Sequence, residues 1–235
     1  MKKSVNVLSG GAAAAVVNGV RPEFENATGA TIQGVFSAVG EMRDRLLSGS
    51  PCDLVILTRK MVDDLIGAGH VVAGSARSLG LVRTGVAVRA GEKHAPIRTR
   101  EELSTALRGA RGIYFPDPQR ATAGIHFMNV LKTLGLDQEL RATLRPFPNG
   151  ATAMAEMGRS DEPDLIGCTQ VTEINYTPGV ELVAPLPKEF ELATDYTLGI
   201  CSKAAHPDLA RQLADLVTGP ASENIRRQGG FEAAA

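Results

Sequence analysis

The apolar positions of this 235-residue chain fall into two alternating rhythms. Short runs at residues 5–8 and 53–57 are rich in Val, Ile and Leu, and with 31–36 they are expected to form strands. Between them, apolar residues recur every three or four positions. Val16, Val20 and Phe24 form one such stripe, Met42 and Leu46 another over 40–48, and a third spans 60–68, where Gly69 ends it. Pro22 falls inside the first stripe, so a break or a fresh helical turn is expected there. The alternation returns after a strand at 80–89. Helices are expected at 99–107, 123–134 and 150–157, and strands at 112–115 and 164–168. A late strand at 196–202 precedes a late helix at 206–217, with Leu209, Leu213 and Leu216 apolar. Strands that alternate with helices predict mostly parallel sheets covered by helices. Two such α/β units, with a strand and a helix left over, predict a chain that passes between two lobes twice.

The first twenty residues, MKKSVNVLSGGAAAAVVNGV, admit a second reading as a secretory leader. Asn6, Ser9, Gly10 and Gly11 interrupt the apolar core that a leader needs. Removing this stretch would also delete the first strand and most of the first helix, so it is expected to belong to the fold. A cytoplasmic location follows if Met1 is the native start, and a periplasmic one if a longer leader has been removed.

Composition narrows the partners. No apolar run reaches the roughly 18 residues of a membrane-spanning helix, so no membrane insertion is expected. A net charge of −1 and 4% aromatic residues give no footprint for nucleic acid or for an anionic membrane surface. Cys52, Cys168 and Cys201 are odd in number, lack CxxC spacing and sit in apolar runs, which predicts buried free thiols. No HExxH, GxSxG, phosphate-loop or Cys/His cluster occurs, and neither a cofactor nor a metal is expected.

Five stretches in order carry a family likeness: a strand followed by SGGAAA and a helix, F(x)3TG, GSPCDLVIL, DPQRATAGIHFMNVLKTLGL and PDLIGCTQVTEI. Together they resemble the periplasmic molybdate-binding protein family, over nearly the whole chain from Val5 to Phe231. The most specific pieces are SGSPCDLVIL, similar to the family's G-A-P-A-D segment, and the DP-to-TAGI segment, similar to its D-P-x-x-x-P-A-G. The resemblance implies a type 2 periplasmic-binding-protein fold: two α/β lobes, residues 1–83 with 196–235 and residues 84–195, joined by two hinge crossovers. It also implies an anion held in the cleft between them by serine hydroxyls and backbone N–H groups at helix starts. Such positions present unsatisfied donors and a partial positive charge.

Carried over residue by residue, the resemblance implies ligand contacts at Ser9, Gly10 and Gly11, and at Ser37, Ala38, Val39 and Gly40. Further contacts fall at Ala123 and Gly124, at Gly150 and Ala151, and at Thr169. Three departures stand out. Ala38-Val39 replace a usual serine, Thr169 replaces the pocket tyrosine, and Leu57-Thr58-Arg59 replace S-A-D, exchanging an acid for a base. Fewer hydroxyls and an added cation favour an organic carboxylate over molybdate, because Arg grips a carboxylate with two parallel hydrogen bonds.

The remaining candidates each have a plainer reading. Arg59 opens a helix where positive charge opposes the dipole, which points to a ligand or to nothing in particular. Arg120 can close over a carboxylate, whereas Asp117 is expected to fix the loop's turn. Thr122 caps a helix or presents its amide to the ligand. Gln170 is a candidate amide ligand. His126 is either a half-buried ring bonded to a backbone carbonyl or a donor and general acid/base. Glu173 is either a solvated first-turn residue or a base. Two functions follow. The first is a solute-binding protein for a small anion, serving an ABC transporter permease. The alternative is an isomerase or tautomerase on the same fold, moving a proton in an unsaturated carboxylic acid as aconitate isomerase does, with His126 or Glu173 catalytic.

Overall fold

The structure is a computed structural model that describes residues 3–234. β1 (Ser4–Gly10) leads through a 3-10 turn (Gly11–Ala13) into α1 (Ala14–Thr28). β2 (Thr31–Ser37), α2 (Val39–Leu47), β3 (Leu54–Thr58), α3 (Arg59–Gly67) and the long β4 (Arg77–Arg89) follow. Next come α4 (Arg100–Gly109), β5 (Gly112–Pro116), α5 (Thr122–Leu134), β6 (Leu144–Phe147), α6 (Gly150–Arg159), β7 (Leu165–Gln170), α7 (Val171–Asn175) and β8 (Val180–Pro185). The series closes with β9 (Ala193–Ile200), α8 (Pro207–Thr218), α9 (Glu223–Gly229) and β10 (Phe231–Glu232). The chain divides into two compact units. One runs up to Val82 and resumes at Thr194, and the other is Arg83–Ala193. The boundaries therefore fall inside β4 and at the start of β9.

In the first unit the strand order is β2-β1-β3-β9-β4, with β10 beside β4. β1 pairs in parallel with β2, from Ser4↔Thr31 to Gly10↔Ser37, and with β3 at Val7↔Leu54 to Ser9↔Ile56. β9 runs antiparallel to β3. Because β1 is flanked on both sides, Val5, Val7 and Leu8 are buried, as are Leu54 to Leu57 of β3. α1 covers this sheet with Val16, Val17, Val20 and Phe24 and packs against α8 and α9. The N-terminal stretch thus supplies the central parallel strand of its unit.

The second unit repeats the winding. Its order is β4-β7-β5-β6, with β8 also on β4. β5 is parallel to β6 and β7, and β7 is antiparallel to β4 from Thr84↔Gln170 to Ala87↔Gly167. Alternation along β5 sends Ile113 and Phe115 to one face, with Leu103, Leu107, Phe127 and Leu131, and Tyr114 to the other, with Met154, Met157 and Ile174. In both units the chain leaves a central strand, returns beside it on one side and then on the other. Ligand crevices form where strand order reverses in this way, outside the carboxyl ends of the strands. The loops after β1 and β5, and the starts of α2, α5 and α6, occupy those ends.

Some expectations need correction. Pro22 does not break α1, which runs unbroken through it. Proline costs a helix one N–H bond, here to the carbonyl of Asn18, and both residues lie on the exposed face, where the lost bond leaves no polar group buried in the core. β9 spans Ala193–Ile200, so it begins three residues earlier than expected and ends two residues sooner. β6, β8, α7, α9 and β10 were not anticipated. β6 is four residues long with Pro146 inside it, and α7 is a five-residue helix, so neither carries a period long enough to read. Gly69 ends α3 as expected, at φ +77°. The three cysteines are free and buried, as expected. No helix among the described residues is long and apolar enough to cross a membrane.

Candidate functional site

In the first unit the carboxyl ends of β1 and β2 bring Ser9, Gly10, Ser37, Val39 and Gly40 together. Ser9 is fully buried, and its hydroxyl donates to the carbonyl of Gly10 at 2.8 Å. Gly10 has an ordinary φ of −56°, yet a Cβ there would lie 2.7 Å from Val39 and 3.1 Å from Tyr196. It is glycine because the chain passes close to α2. Gly11 opens the 3-10 turn that carries the chain into α1. Ala38 caps α2 without a side-chain bond, so the first N–H groups of that helix have no intrahelical acceptor. The Ser37 hydroxyl donates to Glu41 Oε2 at 2.7 Å, and Glu41 also pairs with Arg45.

The second unit repeats this device in a drier setting. Thr169 ends β7, and its hydroxyl donates to Glu173 Oε2 at 2.5 Å. The same carboxyl accepts the N–H of Gln170 and the N–H of Ala151 in the first turn of α6. Asn149 caps α6 by accepting the N–H of Thr152 at 2.8 Å. At Gly150 a Cβ would come within 2.0 Å of both Glu173 Oε2 and Thr169 Oγ1, so the carboxyl rests on bare backbone. Glu173 is only 8% exposed, which corrects the reading of it as a solvated first-turn residue. Packing of α7 against α6 and β8 buries it. Burial pushes its carboxyl up to about 7, against the opposing pull of the hydrogen bonds from Thr169, Gln170 and Ala151.

Gln170 differs from its neighbours. Strand alternation places it with Ile166 and Cys168, on the opposite face from Thr169. It is 2% exposed, and neither its Oε1 nor its Nε2 has a partner in the protein. Thr84 lies directly opposite in the β4–β7 ladder, and its buried hydroxyl is likewise unpartnered. Each unmatched buried polar group costs about 1–3 kcal/mol. A ligand that removes such a cost gains affinity.

The other candidates are less committed to a ligand. Thr122 is the first residue of α5 and Ala121 its cap, with no side-chain bond at that end. Ala123 and Gly124 are buried, and a Cβ on Gly124 would meet the Pro116 and Asp117 carbonyls at 2.2 and 2.4 Å. Gly124 is therefore explained by the close seating of α5 on the preceding loop. Asp117 fixes that loop, accepting the N–H groups of Gln119 and Arg120. Arg120 is exposed. Arg59 pairs with Asp63 one turn along α3, and both side chains are about half exposed. The half-buried His126 ring bonds the Phe190 carbonyl through Nε2 at 2.7 Å.

A cavity of about 560 Å³ in the second unit, walled by Val88, Ala106, Leu165 and Ile166, contains none of these residues. Among the described residues no group of three or more His, Cys, Asp or Glu side chains is placed to hold a metal. Sequence reasoning missed Glu41, Thr84 and the Asn149 cap. The spacing of Ser37 to Glu41 and of Thr169 to Glu173, a hydroxyl and a carboxyl four apart, was the available signal for the first.

Known proteins share this architecture. The chain is 27% identical over 218 residues to an aconitate isomerase from Pseudomonas sp, covering 89% of this chain and 80% of the relative. It is 23% identical over 226 residues to the molybdate-binding protein ModA of Escherichia coli (strain K12), covering 94% and 86% respectively. The periplasmic molybdate-binding protein of Azotobacter vinelandii superposes with a TM-score of 0.79 at 19% identity, over 98% of this chain and all of that one. The fold is thus of the type 2 periplasmic-binding-protein class. The family model of the bacterial extracellular solute-binding proteins matches residues 5–232, and the chain belongs to that family.

Proposed function

We propose that the chain binds a small organic acid through the strand-end and helix-start positions of its two units, and delivers it to an ABC-type permease. The observation that carries this reading is the side chain of Gln170, buried with its donor and its acceptor both unmatched. A fully ionised tetrahedral oxyanion offers only acceptors. An organic acid with a hydroxyl or a protonated carboxyl offers both an acceptor and a donor, and so satisfies the whole amide. The hydroxyls of Ser9, Ser37 and Thr169 are already given to partners within the chain, which also favours a ligand that leans on backbone N–H groups. Ser9, Gly10, Gly11, Val39 and Gly40 in the first unit, and Thr122, Ala123 and Gln170 in the second, are the proposed contacts, while Gly150 and Ala151 at the start of α6 are covered by the Glu173 carboxyl. Arg120 is an exposed side chain available to a carboxylate, and Arg59 becomes available on leaving Asp63.

A second reading, a proton-shift isomerase of an unsaturated carboxylic acid, is favoured by Glu173. Its carboxyl, with a proton affinity near neutrality, suits general acid/base work. The Pseudomonas relative named as an aconitate isomerase agrees with this reading. His126 contributes less to it, since Nε2 is occupied by Phe190.

A thermal-shift panel of citrate, cis- and trans-aconitate, small hydroxy acids, molybdate and sulfate separates these outcomes. A ligand at 100 times its dissociation constant stabilises the fold by about 2.7 kcal/mol. A shift with an organic acid and no change in its proton spectrum supports the receptor. Migration or deuterium exchange of vinyl signals in D2O supports the isomerase. A shift with molybdate alone overturns the organic-acid reading.

A further inference from the structure

We infer that Glu173 is the specificity-determining residue of the second unit: its carboxyl fills the position at the start of α6 where a ligand oxyanion would be held, and so excludes tetrahedral oxyanions. This rests on the reading of the helix starts as ligand positions, and it names what they reject.

The groups around the carboxyl form an anion-binding set. The Thr169 hydroxyl, the Ala151 N–H and the Gln170 N–H all donate to it, and no cation pairs with it among the described residues. α6 is a ten-residue helix, long enough to present a positive end, and its first residue is a glycine on which the carboxyl lies without an intervening side chain. A carboxyl seated this way presents oxygens to helix-start donors much as a bound anion would. An incoming oxyanion meets no free hydroxyl proton there, because Thr169 has one and has given it. It must also displace a buried group that is tied at three points.

The first unit carries the same arrangement independently. Ser37 at the end of β2 gives its proton to Glu41 in the first turn of α2, again four residues on. In both units, then, the strand-end hydroxyl nearest a helix start is committed to the chain's own carboxyl. Glu41 is the more open of the two and is also paired with Arg45. Glu173 is buried, and among the described residues no cation pairs with it.

The test is calorimetric titration of sodium molybdate and sodium sulfate into the wild-type chain, Glu173→Ala and Glu173→Ser. Removing the carboxyl leaves the Thr169 hydroxyl and two N–H groups facing an anion-sized space. Both variants are expected to bind at least one of these oxyanions about tenfold or more tightly than wild type, whose heats stay at baseline near about 1 mM. Circular dichroism establishes that each variant is folded. If Glu173→Ala does not fold, Glu173→Ser, which keeps a polar atom in the site, carries the comparison. Wild type that binds molybdate or sulfate as tightly as the variants overturns the inference, as do folded variants that gain nothing. The organic-acid panel on wild type is read separately. A blank there counts against the proposed ligand class, while a gain of oxyanion binding in the variants still supports the role of Glu173.

Discussion

The buried carboxyl of Glu173 makes stability fall with rising pH, the reverse of what a carboxylate stabilised by ion pairing does. Its proton affinity in the folded chain is set by two opposing effects. Burial raises it, the hydrogen bonds from Thr169, Gln170 and Ala151 lower it, and burial wins, moving it from 4.5 to about 7. Each tenfold change in proton affinity is worth about 1.4 kcal/mol. Carrying the group from 4.5 to about 7 therefore amounts to about 3 kcal/mol. Between these two values the folded chain holds a proton that the unfolded chain has released. The stabilisation is complete below about pH 4.5 and is lost as pH rises through about 7. The perturbation is Glu173→Gln, which has no proton to lose. Urea unfolding of both proteins from about pH 5 to about pH 8 yields a difference in which other titrating groups cancel. Wild type should lose most of about 3 kcal/mol relative to the glutamine variant across that range. A difference flat to within about 0.5 kcal/mol refutes the reasoning. A difference of opposite slope would mean that the three hydrogen bonds outweigh burial.

Three further outcomes follow from the site. Gly150→Ala places a methyl where Glu173 Oε2 and Thr169 Oγ1 now lie, so it should cost about 2–4 kcal/mol in urea unfolding and flatten the pH dependence just described. Gln170→Leu removes an amide with two unmatched atoms, so the ligand-free chain should gain about 1 kcal/mol in stability while organic-acid affinity falls by about tenfold or more, read by denaturation and titration on the same preparation. His126→Ala gives up the bond to the Phe190 carbonyl and should cost about 1–2 kcal/mol, yet leave ligand affinity within about twofold of wild type.

Much of the fold was legible because its central strands are covered on both sides. Leu54 to Leu57 are all fully buried, and such a strand shows as an unbroken apolar run whatever its neighbours are. Helices with a clear stop were equally plain, as at Gly69 after α3. β6 was not, because Leu144–Phe147 is partly exposed, contains Pro146 and becomes a strand only through its pairing with β5. The continuity of α1 through Pro22 depends on which face meets solvent, and a stripe with one proline in it does not specify that. At the candidate site, the family likeness singled out Ser9, Ser37, Gly150 and Thr169. Local pattern placed Glu173 on the surface, since a charged residue in the first turn of a five-residue helix usually is exposed. Its burial comes from α6 and β8, which precede and follow its own helix in the chain, and those contacts leave no trace in the residues around it. Gln170 shows the same limit: its type marked it as a candidate, but only the register with Thr84 reveals that its amide has no partner.

The most direct test of the account is calorimetric titration of the wild-type chain with molybdate and, on the same preparation, with the organic acid that gives the largest thermal shift. The account predicts saturable heat with the organic acid, abolished in Gln170→Leu, and none with molybdate. Saturable binding of molybdate with no response to any organic acid would contradict it, and would return the chain to the chemistry of an oxyanion receptor.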